Sequence, residues 1–363
     1  MEKLMISITL IMICFLCSCK QTPNDVKTKE MSDDISVNYV SAEHILDDFN
    51  DAFETKYTKF KLPKKSDVII DQPEEVNKLE LKYVNSNGDE KWMKNKEKDL
   101  LKMFNDNNAM SAEEKENSYI ETRVFSRPYY NYEPLLLNEL EETKYEFLNR
   151  KKITDFDGYI QNAVKKSVKI SDEANKILEG ELTNIPIDLT VYDNKGKSLY
   201  ETCMQPCYKG IGIMGNIPAL YNYSSADDNS DTLIAMAMRS RVIYDNDLRL
   251  YMVNNCNNFK VVKSESIDNI ISFKSACNIL ESTLSEKIEL DFNDVKLWYE
   301  PIGKILSSED KEVTNHVVKC TPKWYFINDS TTDGMHMINY ISVDCETGDV
   351  DVCMPWIRRI SGY

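Results

Sequence analysis

Residues 270 to 355 constrain the fold more than any other stretch, because the apolar pattern there changes period once and then keeps the new one. Phe273, Ala276, Ile279, Leu280 and Leu284 recur at the three- and four-residue spacing of one helix face. Four strand candidates follow, over 294–299, 313–326, 335–344 and 349–354. In the second, His316, Val318, Cys320, Trp324 and Phe326 share one face of a regular strand. Pro322 interrupts that run and predicts an edge position or a bulge there. Glu346-Thr347-Gly348-Asp349 reads as the last turn. The expected product is α+β, a helix laid on an antiparallel sheet.

Upstream the patterns are shorter and mixed. Leu79 to Tyr83 alternates like a strand and Asn87-Gly88 is a turn signal, while Trp92, Leu100, Met103 and Phe104 predict an amphipathic helix. Tyr119 to Phe125 reads as a strand, and Leu136, Leu137, Leu140 and Leu148 predict a helix beginning after Pro134. Helical patterning returns from Tyr159 to Val168, and Ser171-Asp172-Glu173 reads as a new helix start. A hairpin over 185–202 turns at Asn194-Lys195-Gly196 and opens a strand-rich half, with further strands at 233–244 and 248–253. These readings divide the chain softly near residue 183, into a mixed body over 41–182 and a strand-rich body over 183–363.

A resemblance rests on the best-patterned segment. The helix containing Ala276, then Leu297-Trp298-Tyr299-Glu300-Pro301-Ile302, Pro322-Lys323-Trp324-Tyr325-Phe326 and Val343-Asp344-Cys345-Glu346-Thr347-Gly348, resembles the PepSY-like modules of Gram-positive extracytoplasmic proteins. It is also similar to the C-terminal domain of the YycH and YycI regulators of a cell-wall histidine kinase. The resemblance implies an α+β fold and inhibitory or kinase-modulating roles rather than catalysis. Cys345 stands where those modules have a small residue. The chain as a whole resembles uncharacterised lipoproteins of Gram-positive anaerobes.

The N-terminus points to a location. Lys3 precedes an apolar run over 4–16 broken only by Ser7 and Thr9, which makes a secretion signal too short to span a bilayer. Leu16-Cys17-Ser18-Cys19 resembles a bacterial lipobox, which implies diacylglycerol transfer to Cys19 and cleavage before it. Residues 1–18 are then the signal peptide and 19–40 a lipidated, polar tether, spanning roughly 25 Å if it is a flexible coil. Two acyl chains suffice for stable anchoring. The expected location is the extracytoplasmic face of the cell membrane.

Charge narrows the partners. The formal charge of −16 survives cleavage, because Glu2 and Lys3 leave together, and it argues against nucleic acid, anionic headgroups and anionic wall polymers. Lys56, Lys59, Lys61, Lys64 and Lys65 form the one basic cluster, read as a solvated segment. The 42% of hydrophobic residues, with 20 Tyr, 12 Phe and 4 Trp, is ample for a core. Cys203, Cys207, Cys256, Cys277, Cys320, Cys345 and Cys353 would remain in the mature chain, an odd set that cannot pair fully within it and fits a reducing exterior.

Catalytic signatures are few. The only histidines are His44, His316 and His336, and no zinc-helix, phosphate-loop, nucleophile-elbow or dinucleotide motif occurs. His316 and Cys320, four apart on a strand, would lie roughly 13 Å apart, too far for a dyad. Cys203 and Cys207 lack redox-motif spacing and are read as structural thiols or a loop disulfide. Asp227-Asp228-Asn229-Ser230-Asp231 starts like a calcium loop, but Thr232 and Met238 stand where glycine and glutamate are required. Tyr129, Tyr130 and Tyr132 are the candidate ligand-contact patch. No catalytic residue, metal site, cofactor or nucleic-acid partner is expected. The first reading is a lipid-anchored binding or regulatory protein with an envelope protein or peptide as partner. The rival is a cell-surface hydrolase or carbohydrate-binding accessory protein using an acidic pair, since such carboxylates need not be close in sequence.

Overall fold

The computed structural model describes residues 36–68, 70, 72–84, 89–107, 119–123, 129–133, 144–149, 158–194, 197–214, 240–255, 259–285, 290–302, 317–332 and 335–359. Its first part holds β1 (Tyr39–Val40), α1 (Ile45–Ala52), β2 (Phe60–Lys61), β3 (Asn77–Tyr83), α2 (Glu90–Asn107), β4 (Tyr119–Arg123), β5 (Tyr129–Glu133) and β6 (Lys144–Asn149). Then come α3 (Gly158–Ile177), β7 (Thr183–Asn194), β8 (Lys197–Tyr208), β9 (Ile211–Ile213), β10 (Ser240–Asp245), β11 (Leu250–Asn255), β12 (Phe259–Ser266) and β13 (Ile270–Ile271). The last part is α4 (Phe273–Thr283), β14 (Leu290–Asp291), β15 (Asp294–Ile302), β16 (Val318–Thr332), β17 (Met335–Asp344) and β18 (Val350–Arg359). Helices packed on a largely antiparallel sheet make the fold α+β.

Fourteen of these strands join into one sheet that forks twice. β8 carries β7 along one edge, while its other edge pairs first with β10 and then with β9. The three residues of β9 link the two halves, antiparallel to β8 and parallel to β15. The β8–β9 turn is tight because Lys209 and Gly210 both take positive φ, 48° and 86°, as a two-residue type I′ connection requires.

The second fork explains Pro322. β16 pairs with β15 along one edge, and along the other with β3 at Val318–Cys320 and with β17 from Lys323 onward. Pro322 lies between those two partners, so its missing N–H falls where no ladder bond is needed, and its carbonyl accepts from the Cys345 N–H at 3.1 Å. It is therefore neither at an edge nor in a bulge. It marks a change of partner inside a central strand.

α4 forms where its period predicts. Ser272 caps it by accepting from the Ser275 N–H at 3.1 Å, and Phe273, Ala276, Ile279 and Leu280 are fully buried. Trp324 packs beneath it, 5.0 Å from the Phe273 ring, with its indole N–H donated to the Ile271 carbonyl at 2.9 Å. From the far end of the sequence α1 adds Phe49, whose ring lies 4.7 Å from Phe273 and 6.3 Å from Trp324. One apolar core therefore joins residues between Ile45 and Leu81 to residues between Phe259 and Cys345. Asp344 accepts the Glu346 and Thr347 N–H groups, and Gly348, at φ 77°, completes the expected turn into β18.

A second, smaller core lies under α3 and α2, from Leu100 and Phe104 through Ile170, Ala174 and Leu178 to Met204, Val242 and Tyr244 on the sheet. Two local expectations are corrected here. Leu148 lies on β6, paired opposite Leu189 of β7, and not on a helix, because the polar–apolar alternation of Lys-Tyr-Glu-Phe-Leu-Asn suits a pleated strand. Ser171 lies inside α3 and is buried instead of capping a new helix, since Ile170, Ala174 and Leu178 continue one apolar face across it. Residue 183 is the first residue of β7.

Candidate functional site

Register assigns both helical layers to one face of the sheet. Met204 of β8 faces α3, while Cys207, one of the opposite set, pairs beside Gly212, which pairs beside Trp298, then Lys323, then Asp344. Trp324 and Tyr299 alternate with this row and face α4. Among the described residues no helix packs on the row's own face. Glycine is required at 212, because a Cβ would sit 2.8 Å from the Trp298 indole nitrogen and 3.2 Å from Ile185.

On this face the Lys323 side chain is buried and its ammonium contacts both Glu300 of β15 and Asp351 of β18. Thr321 lies directly across the strand pair from Glu300, and Ser342 directly across from Asp351. Both hydroxyl oxygens are buried without a hydrogen-bond partner. Side-chain exposure rises from 7% at Lys323 through 21% at Glu300 to 54% at Asp351, so the cation lies beneath its carboxylates. Burial alone would lower the Lys323 pKa, yet Glu300 and Asp351 outweigh it and hold the lysine above its usual range. Burial also raises the Glu300 carboxyl, against the pull of Lys323. A lysine kept protonated is a poor general base and a good electrostatic anchor.

Among the described residues, three cysteines sit where a thiolate is disfavoured. Cys277, Cys320 and Cys345 are buried, and burial raises each thiol well above the ordinary range, away from the thiolate that chemistry needs. Cys203 and Cys207 are buried four residues apart on β8, roughly 13 Å, which excludes a disulfide between them. The basic cluster is dispersed: Lys59 donates to the Leu284 carbonyl at 2.7 Å, and Lys61 lies 3.5 Å from Asp291. Among the described residues no group of three or more His, Cys, Asp or Glu is placed to hold a metal ion.

Tyr129, Tyr130 and Tyr132 lie on β5, with Tyr129 paired to Arg123, Tyr130 to Thr122 and Asn255, and Tyr132 to Ile120 and Val253. Only their strand pairing is described. Register keeps them away from Lys323, since β11, β10, β8, β9 and β15 intervene. Cys19, His316 and the 227–231 acidic run lie outside the described residues. No local spacing in the sequence marks the Lys323 cluster. Its signal was a charge set between Pro322 and Trp324 in an otherwise apolar run.

Neither a protein family nor a curated protein matches this chain.

Proposed function

We propose that this is a lipid-anchored extracytoplasmic protein that binds an envelope protein or peptide, with a regulatory and non-catalytic role. The carrying observation is the Lys323–Glu300–Asp351 cluster on the face without described helices. Desolvating a lysine is expensive, and replacing a buried ion pair by apolar side chains is often neutral or stabilising, so stability alone is a weak reason for the cluster. The lipobox-like Leu16–Cys19 run supports the anchor, and no described helix is long and apolar enough to cross a membrane. The helix-on-sheet arrangement of α4 with β15 to β18 supports the PepSY-like reading.

Cys19→Ser tests the anchor: metabolic fatty-acid labelling should disappear and the protein should leave the membrane fraction. Persisting label would refute lipidation at that residue. Crosslinked capture from the native envelope tests the binding role, which predicts a stoichiometric partner held by wild type.

One observation favours the hydrolase rival, the raised Glu300 carboxyl beside a second carboxylate, since a general acid needs such a group. Lys323 contacts both carboxylates, which weighs against it. Reducing-sugar release from envelope polysaccharide that is abolished by E300Q would establish the rival.

A further inference from the structure

Three features of the Lys323 cluster bear on the chemistry of what it binds. Its charges are ordered by depth, with Lys323 at the bottom and Asp351 half-exposed at the top, so an approaching group meets carboxylate oxygen before ammonium. One ammonium serves both Glu300 and Asp351, and each carboxylate offers about four lone-pair positions. Acceptor capacity therefore remains. The third feature is independent of charge: Ser342 is fully buried, lies directly across from Asp351, and its hydroxyl oxygen has no hydrogen-bond partner. A buried orphan hydroxyl costs free energy unless something fills its place, and a hydroxyl oxygen can accept from an N–H donor.

We propose, resting on the binding role above, that Glu300 and Asp351 receive a basic side chain from a cationic segment of the partner, with Ser342 and Thr321 as flanking acceptors. Lys323 holds the two carboxylates in place from below, so the incoming guanidinium or ammonium meets a pre-oriented pair. The overall charge of −16 steers such a partner toward the molecule, whereas the cluster decides where it docks.

The test uses the full-length protein in detergent micelles, a fluorescent arginine-rich peptide, and the same peptide with citrulline in place of arginine. Anisotropy should show binding of the arginine peptide that weakens with salt, and little binding of the citrulline peptide. D351N should weaken it roughly ten-fold or more, as expected for one charge-assisted contact. E43Q removes an 80%-exposed carboxylate on the α1 side and should leave affinity unchanged. E300Q gives a second reading of the cluster, with circular dichroism confirming the fold of each variant. Equal affinity for wild type and folded D351N, or equal weakening by E43Q, would overturn the proposal. Envelope capture separates it from the role it rests on: a partner held equally by wild type and D351N leaves the binding role intact and sinks the basic-group site. Absence of any captured partner sinks the binding role itself.

Discussion

The two cores of this molecule are built on different terms. Under α4, residues 45–81 and 259–345 meet around Phe49, Phe273, Trp324 and Phe326, an aromatic-rich assembly locked by short polar clamps. Glu281 is one such clamp, accepting from the backbone of Thr58 at 2.9 Å and of Lys59 at 3.1 Å. Under α3 the sheet and helix bury Ser167, Ser171, Asn175, Asn184 and Thr202 among fewer large side chains. Aromatic burial should make the first core the stronger one, and the smaller second core should be the region that opens first.

Substitutions can break that contrast. Trp324→Ala should cost about 3–5 kcal/mol, the largest single effect, because a fully buried ring and its hydrogen bond to Ile271 are both lost. Chemical denaturation would measure it, and a loss below about 1 kcal/mol would mean the aromatic centre does not dominate stability. Phe49→Ala should cost about 3 kcal/mol and expose residues 45–61 to protease, since Phe49 joins α1 to both Phe273 and Trp324. A variant cut no faster than wild type would detach α1 from the α4 core.

Gly212→Ala acts on the joint itself. The added methyl meets Trp298, so about 1–3 kcal/mol should be lost and the two halves should melt less cooperatively. A single unshifted transition in calorimetry would show that β9 is not the coupling element.

A further expected effect, graded with pH, is on alkaline stability. Buried Cys277, Cys320 and Cys345 keep their protons in the folded state to a higher pH than in the unfolded chain. Their contribution is whole below the ordinary thiol pKa of about 8.5 and is lost as pH rises above it, at up to about 1.4 kcal/mol per thiol per pH unit. Denaturation midpoints should fall above that pH, less steeply in C320A/C345A. Equal slopes would show that these thiols are not shielded.

How much of this was legible in the sequence follows from contact range. α4, the hairpin over 185–202 and the strands after residue 290 are readable, because each depends on period and turn chemistry within a few residues. The partnership of 45–61 with α4 is not, since nothing in Ile45 or Phe49 says which distant surface it will cover. β9 is too short to show a period. The local rule that points Pro322 to an edge or bulge holds for a strand with one partner per side, and a fork escapes that rule. Lys323, Glu300 and Asp351 come from three strands and meet only through register, so their cluster had no local spacing to betray it.

Native-state hydrogen exchange under increasing urea tests the division into two cores most directly. The amides of 45–52 and 273–283 should lose protection together, at a higher urea concentration than those of 158–177. Opening of 45–52 alongside 158–177, ahead of 273–283, would contradict it.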